Sequence, residues 1–458
     1  MQKNNILVFS TLAEYQTEFW LEIAKYLHSK GERIIFLSFD DKSSLMLEEE
    51  DFKQFNIPLL AKKYKNDLDI IETFNHYNVT NIQQWINHER VTFNIFDSQE
   101  LMAKFSVYLN AVNEVISEIK KEGRPIVIQE FGGFLSVISI YIITLHHQFK
   151  NWFIEPSFFR GKLFYNLNTF ASTNIQDIPT ESSLEVKKYL TETITSRSIV
   201  IPKKDIHQYN TALIKVANFK NFKKLIIKIF NKHILRRHQE FGYILRYVTM
   251  HLSQAFNSIC LRKYYLKKDL KKAPKYVYFP LHVPGDAALT LRSPKYLDQI
   301  SLIEYLARNL PIEVNLFIKE HPAQIGAIQR KQIISLLRQY DNLKLIHPSK
   351  NNFELLENAS CVISINSKSG AEAIALGKKV IVLGDAFYSD SHLVTFLNDL
   401  SIFNETIKNL LADINKSKSS DIENYFQAIW DKSSNGELYD LSSENIKNFS
   451  HDLLKRVI

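Results

Sequence analysis

Two short runs in the second half of the chain carry residue types that bind an anion. Lys319-Glu320-His321-Pro322 sets an ammonium and an imidazole ahead of a proline that fixes the turn. Asn366-Ser367-Lys368-Ser369-Gly370 sets two hydroxyls, an amide and a lysine ahead of the helical pattern Ala371-Glu372-Ala373-Ile374. Ser367 or Ser369 can cap that helix, whose first turn presents unpaired N–H groups and positive potential. A phosphate fits such an end. His321 can donate a hydrogen bond to the same phosphate, and Gly370 lets the backbone come close to it. In the first half, Glu130 precedes Gly132-Gly133, and Glu155 precedes Pro156 in a run that continues to Arg160-Gly161. A carboxylate so placed can take a proton from a hydroxyl or attack a sugar carbon. The plainer role for Glu130 is a helix cap or an ion pair. Arg160 can grip a carboxylate bidentately, and its plainer role is a surface salt bridge.

The elements that must hold these residues are visible as apolar runs. Residues 314–318, 361–365 and 380–383 are short, rich in branched side chains and bounded by turn residues, so each predicts a buried strand. Helical patterns separate them, which implies a parallel α/β sheet. In such sheets ligands bind beyond the carboxyl ends of the strands, where both anion-binding runs stand. Gly377 ends the helix before the last of these strands. Residues 125–128 predict a buried strand with Glu130 at its carboxyl end, on the cleft between two domains. Residues 5–10, a helix through His28 and residues 32–39 make a β-α-β start. It lacks G-x-G-x-x-G, which argues against a nicotinamide or flavin site. Asp40 closes the second strand, either on a ribose or, as favoured, in solvent. Residues 49–105 look irregular, an insertion contributing to an acceptor surface, and residues 101–121 predict a long helix. A strand at 275–281 opens the second half, followed by the loop His282-Val283-Pro284-Gly285-Asp286-Ala287. Beyond it, Asp385-Ala386-Phe387-Tyr388-Ser389-Asp390 offers an aromatic that can stack on a base.

Composition narrows the classes. The chain has 458 residues, 45% hydrophobic and 23% charged, enough for two ordinary globular domains. A net charge of +8 and a pI near 9.0 point to anionic partners such as nucleotides, acidic glycans or a membrane face. Two cysteines, Cys260 and Cys361, exclude a disulfide framework. No Asp-x-Asp stands at a strand end, so no metal is required, and no cofactor is expected. The start has no signal-peptide core, and the longest apolar run, 134–145, is too short to span a bilayer. A cytoplasmic protein is expected. From Lys215 to Lys275 the sequence mixes many basic residues with apolar ones: Phe219, Phe222, Leu225, Ile226 and Ile229 recur at helical spacing with Lys220, Lys223, Lys224 and Lys228 between them. This segment is either an interdomain helix with its apolar stripe on the core or a surface that rests on an anionic membrane.

The pair "KEHP" and "SINSKSGAEAIALGKKVIVLG" resembles the C-terminal half of the bacterial capsule polysaccharide biosynthesis family. That family includes transferases of the sugar acid Kdo and is similar in layout to bacterial sialyltransferases. The resemblance implies an α/β GT-B fold, two Rossmann-like domains facing across a cleft, with CMP-activated sugar acids as donors. It implies that His321-Pro322, and Ser364 with Ser367, hold the nucleotide phosphate. The run from Trp152 to Phe164 is similar to the family's acidic residue, turn and Arg-Gly pair, which makes Glu155 a second catalytic candidate beside Glu130. In the loop after the 275–281 strand the family's Gln-Pro pair is replaced by "HVPGDA".

Together these observations give a two-domain expectation. Residues 1–200 form a Rossmann-like acceptor domain, 201–273 a basic helical connector, and 274–415 a Rossmann-like nucleotide-sugar domain. Residues 416–458 form helices that, by analogy with GT-B enzymes, cross back to the first domain. The expected donor set is Lys319, His321, Pro322, Ser364, Asn366, Ser367, Lys368, Ser369, Gly370, His282 and Gly285. Arg160 and Asp286 are expected at the acceptor or sugar. The expected activity moves Kdo or a related nonulosonate from a CMP donor to a glycan or glycolipid acceptor. Rival readings are a UDP-sugar transferase, a UDP-sugar 2-epimerase and a non-catalytic assembly scaffold. No motif supports nucleic-acid binding.

Overall fold

Branched and aromatic runs alternating with amphipathic helices build two sheets. The computed structural model describes residues 4–65, 69–197, 219–267, 270, 273–415 and 417–458, without the side chains of 219–222 and 224. The first sheet holds β1 (Asn5–Thr11), β2 (Arg33–Ser38), β3 (Gln54–Asn56), β4 (Arg124–Glu130), β5 (Lys150–Pro156) and β6 (Lys162–Leu167). The second holds β7 (Tyr276–Pro280), β8 (Asn315–Lys319), β9 (Leu343–Ile346), β10 (Cys361–Ser364), β11 (Val380–Val382) and β12 (Thr395–Phe396). A last strand, β13 (Ser434–Asn435), returns to the first sheet and pairs antiparallel with β6.

The strand orders are β13-β6-β5-β4-β1-β2-β3 and β12-β11-β10-β7-β8-β9. The strands from β1 to β5 run parallel, β6 reverses, and the second sheet is parallel throughout. Each sheet is doubly wound. The chain leaves the central strand in one direction, returns, and continues on the other side. The reversal falls between β1 and β4 in the first sheet and between β7 and β10 in the second. Loops part at such a point and leave a crevice beyond the carboxyl ends. Two such sheets in one chain make the GT-B arrangement.

Helices cover both faces of each sheet. On the first, the helices Ile82–Phe93, Ser98–Glu122 and Leu135–His146 bury one face around Phe105, Val112 and Ile138. Helix Glu14–Ser29 covers the other, joined by the C-terminal helix Ser443–Val457, whose Phe449 and Leu453 lie among Phe19, Trp20 and Leu7. The end of the chain therefore closes the core of its beginning. The described residues of 49–105 are not irregular. They hold β3, short helices whose starts are capped by the side chains of Asn56 and Asp69, and the start of the long helix Ser98–Glu122, capped by Asp97. Asp40 is not a solvated strand end either. It is buried and accepts the N–H groups of Lys42 and Ser43, both at 3.0 Å, as the cap of helix Asp41–Glu49.

Candidate functional site

The crevice of the second sheet is built from the ends of β8, β7 and β10, which lie side by side. Ser364 is the last residue of β10, and its Oγ accepts the Ser367 N–H at 3.0 Å. Ser367 caps the helix Lys368–Ala375 by accepting the Ser369 N–H at 3.2 Å. Behind this turn the buried Tyr388 hydroxyl lies 2.9 Å from Ser364 Oγ and 2.5 Å from the Ser367 carbonyl oxygen. Asn352 Nδ2 donates to Ser369 Oγ at 3.0 Å and to Glu372 Oε2 at 2.6 Å. The helix start is thus fixed from within the protein. Gly370 is required by this packing, because a Cβ there would overlap the Tyr388 hydroxyl and ring. Tyr388 is fully buried, so it is not available to stack on a base.

Asn366 ties this turn to the loop after β7. Its Nδ2 donates to the Ala288 carbonyl at 2.7 Å and to Ser293 Oγ at 3.1 Å, while its buried Oδ1 has no hydrogen-bond partner among the described residues. Its N–H points at His282 Nε2, 3.4 Å away. Gln299 brackets His282 by accepting its N–H at 2.8 Å and donating to its carbonyl at 3.1 Å. Gly285 packs closely against the first unit. A Cβ there would come within 2.7 Å of Thr92 Oγ1, on the first unit's helix Ile82–Phe93. Asp286 accepts the Ala288 N–H at 2.9 Å and stands in the electrostatic neighbourhood of His88, His282, His321 and Arg292.

At the end of β8, Lys319 is buried and its Nζ donates to the Lys350 carbonyl at 3.0 Å. Burial lowers its pKa to about 8, against the pull of Glu372. His321 Nδ1 accepts the Ala323 N–H at 3.2 Å, capping the turn Pro322–Gln324, so the proton of the neutral ring sits on Nε2. Burial lowers the His321 pKa to about 4, partly opposed by Asp286 and helped by His282 and Lys319. His282 is shifted down as well, again by burial. Glu320 turns the other way. Its Oε1 accepts the N–H groups of Gly326 and Ile328, both at 3.0 Å, and burial raises its pKa to about 6. The arrangement presents a neutral imidazole N–H, a buried ammonium and a capped helix start around one crevice, which suits an anion.

The first sheet contributes two carboxylates with different surroundings. Glu130, at the end of β4, receives Tyr439 OH at 2.5 and 2.6 Å on its two oxygens and Gln16 Nε2 at 3.3 Å. Tyr439 holds this position with φ of 67°, a left-handed conformation rare for an aromatic residue. Its ring is wedged edge-on against Tyr15 and Phe19. Glu155 is engaged differently. Arg292, only 7% exposed at its side chain, meets it bidentately, with Nη1 to Oε2 at 2.9 Å and Nη2 to Oε1 at 2.6 Å. Asn166 Nδ2 adds a bond to Oε1 at 2.8 Å. Glu155 is thereby the acid of a largely buried ion pair between the two units. The guanidinium also lies over the Phe131 ring at 3.9 Å.

The units touch around this pair. Ser172 Oγ and N–H bind Asp385, Lys368 Nζ donates to the Ser157 carbonyl at 2.8 Å, and His88 Nδ1 meets Thr290 Oγ1 at 2.8 Å. Arg160 stands apart, exposed in the turn between β5 and β6. Its N–H donates to Tyr189 OH at 2.9 Å, and among the described residues its guanidinium forms no ion pair. Asn352, Gln299, Arg292 and Tyr439 were not foreseen, and Tyr388 was expected in a different role. Each is joined to the site by a partner distant in sequence, and no local spacing marks it. Among the described residues no group of three or more His, Cys, Asp or Glu side chains is placed to hold a metal ion.

Protein FixF of Sinorhizobium fredii is 34% identical over 138 residues, which are 30% of this chain and 33% of FixF. The chain thus aligns with about a third of that relative. Among solved structures, the β-Kdo 2,7 transferase of KpsC from Thermosulfurimonas dismutans aligns at 15% identity and a TM-score of 0.36, covering 76% of this chain and 89% of that one. HepE of Anabaena in complex with UDP aligns at 12% identity and 0.34, covering 98% of each. The capsule polysaccharide biosynthesis protein family matches residues 171–411, more than half of the 458. That span holds β7 to β12 and every anion-binding residue described above, and the chain belongs to this family.

Proposed function

We propose that the protein is a glycosyltransferase of capsule polysaccharide synthesis. It moves a sugar acid, Kdo or a related nonulosonate, from a CMP-activated donor to a glycan or glycolipid acceptor. The observation that carries this reading is the convergence of Lys319, His321 and the Ser367-capped helix start on the crevice between β7 and β10. Breaking the bond between a sugar acid and CMP leaves charge on the phosphate. A buried ammonium, the His321 Nε2–H and the positive end of helix Lys368–Ala375 stabilise that charge without reorganising. Glu130 takes the proton of the acceptor hydroxyl, and Tyr439 and Gln16 hold its carboxylate in place. The reading calls for neither a cofactor nor a metal, and it places the protein in the cytoplasm. Among the described residues no helix is long and apolar enough to cross a membrane.

Calorimetric titration with CMP, UDP and GDP tests the donor. CMP is expected to bind tightest, and tightest binding of UDP would replace this reading with a UDP-sugar enzyme. Glu130→Gln is expected to abolish transfer while CMP binding persists. Transfer at a near-normal rate would remove Glu130 from catalysis.

A further inference from the structure

Of the apolar stripe on the basic segment, Ile226 and Ile229 are exposed and do not lie on the core, while the side chains of Phe219 and Phe222 lie outside the described residues. Helix Phe219–His233 leaves Ile226 51% and Phe230 49% exposed, with Ile227 and Ile229 beside them and Ile234 following. The next helix, Ile244–Leu261, leaves Leu245, Leu252, Phe256 and Ile259 exposed, a spacing that puts all four on one face. Its other face is already in use. Tyr243 and Tyr247 pack on Phe93 of the first unit, and Asn257 Nδ2 donates to the Gly326 carbonyl of the second at 3.1 Å. The connection between the helices is fixed too. The His238 N–H donates to Asp41 Oδ2 at 2.7 Å, and Glu240 meets Lys104 at 3.0 Å and Tyr108 at 2.8 Å. The exposed apolar side chains therefore belong to an anchored element.

Charge says what covers them. From residue 219 to 267 there are eleven Lys and Arg and a single acid, Glu240, which is buried in that network. Interfaces between proteins are depleted in lysine at their cores, whereas interfacial helices combine basic residues with large apolar ones. We propose that this helix pair docks the protein onto an anionic lipid bilayer. Ile226, Phe230 and their neighbours enter the boundary between headgroups and acyl chains, and the surrounding Lys and Arg meet the lipid phosphates. The proposal is independent of the donor assignment.

Co-sedimentation of the full chain with vesicles tests it. Binding is expected to vesicles of phosphatidylglycerol and phosphatidylcholine and not to phosphatidylcholine alone. It is expected to weaken as salt rises from about 0.1 M to about 1 M, where screening shortens from ~10 Å to ~3 Å. Ile226→Glu with Phe230→Glu is expected to lower vesicle affinity at least about tenfold. Lys223→Glu with Arg236→Glu is expected to do the same, since each cation near such a surface is worth about fivefold. Thermal midpoint and CMP binding stay unchanged in both, because these side chains are exposed. Equal binding to both vesicle types, or none to either, would overturn the proposal. So would an apolar variant that sediments like the parent, or a dimer in solution that this variant dissolves.

Discussion

Burial treats Lys319 and His321 alike, since both lose charge when taken out of water. His321 is neutral above about pH 4 and offers Nε2–H. A hydrogen bond from a neutral donor to a charged phosphate is worth about 1.5–3 kcal/mol. His321→Ala is expected to weaken CMP binding about 10-fold to about 100-fold by calorimetry with the fold intact, and unchanged affinity would remove His321 from the site. Lys319 is the pH-sensitive member. A bound anion favours its charged form, so the complex holds a higher pKa than the free value of about 8. Affinity for CMP is then expected to fall as pH rises past about 8, with proton uptake on binding. Lys319→Met is expected to flatten that dependence, and a parent profile already flat from pH 7 to 10 would contradict it. At this scale the sequence was informative where chemistry is local. Proline after His321 and serines before a helical run announce a turn and a cap. It was silent where the deciding partner is distant. Nothing near Glu155 announces Arg292, and nothing near Gly370 announces Tyr388.

The start of helix Lys368–Ala375 shows how an element is held by side chains outside it. Ser364 Oγ, the Ser367 carbonyl and the Tyr388 hydroxyl form one buried set. Tyr388→Phe leaves these acceptors without their shared partner, which costs about 1–3 kcal/mol. A lower thermal midpoint together with weaker CMP binding is expected, because the turn that aims the helix N–H groups loosens. A lower midpoint with unchanged CMP affinity would separate this turn from the nucleotide. Long periodic elements were legible. The strands β1, β2, β4, β7 and β8 fall within a residue or two of their apolar runs, because a buried parallel strand has nothing but branched residues to show. Short elements were not. The helices between residues 57 and 93 begin at polar caps that read as loop, and β12 and β13 are two residues each, with β13 defined by a partner near residue 163. The basic helices were legible as helices. Their exposure was not, since spacing marks an apolar face without saying what lies against it.

At the scale of the molecule, the two units are joined by buried polar contacts around the crevice, and these set its response to acid. His88 and His321 have pKa values lowered to about 4 by burial, below the 6.5 of an exposed ring. The unfolded chain therefore takes up these protons first, and stability falls as pH drops from about 6.5 to about 4. Glu320, raised to about 6 from 4.5, works against this over its own narrower window. A net loss of thermal stability between pH 6.5 and 4 is expected, and a midpoint that rises over that range would contradict it. The pair of Glu155 and Arg292 tests the junction itself. Removing one member of a buried pair strands the other charge and costs about 3–5 kcal/mol, whereas replacing both together is far less damaging. Arg292→Met alone is expected to destabilise strongly in urea unfolding. Adding Glu155→Gln is expected to recover much of the loss, giving a favourable coupling in the double-mutant cycle. Transfer activity decides what the pair is for. If Glu155 only joins the units, the double variant recovers activity along with stability. If it recovers stability while transfer stays lost, Glu155 returns to the chemistry beside Glu130.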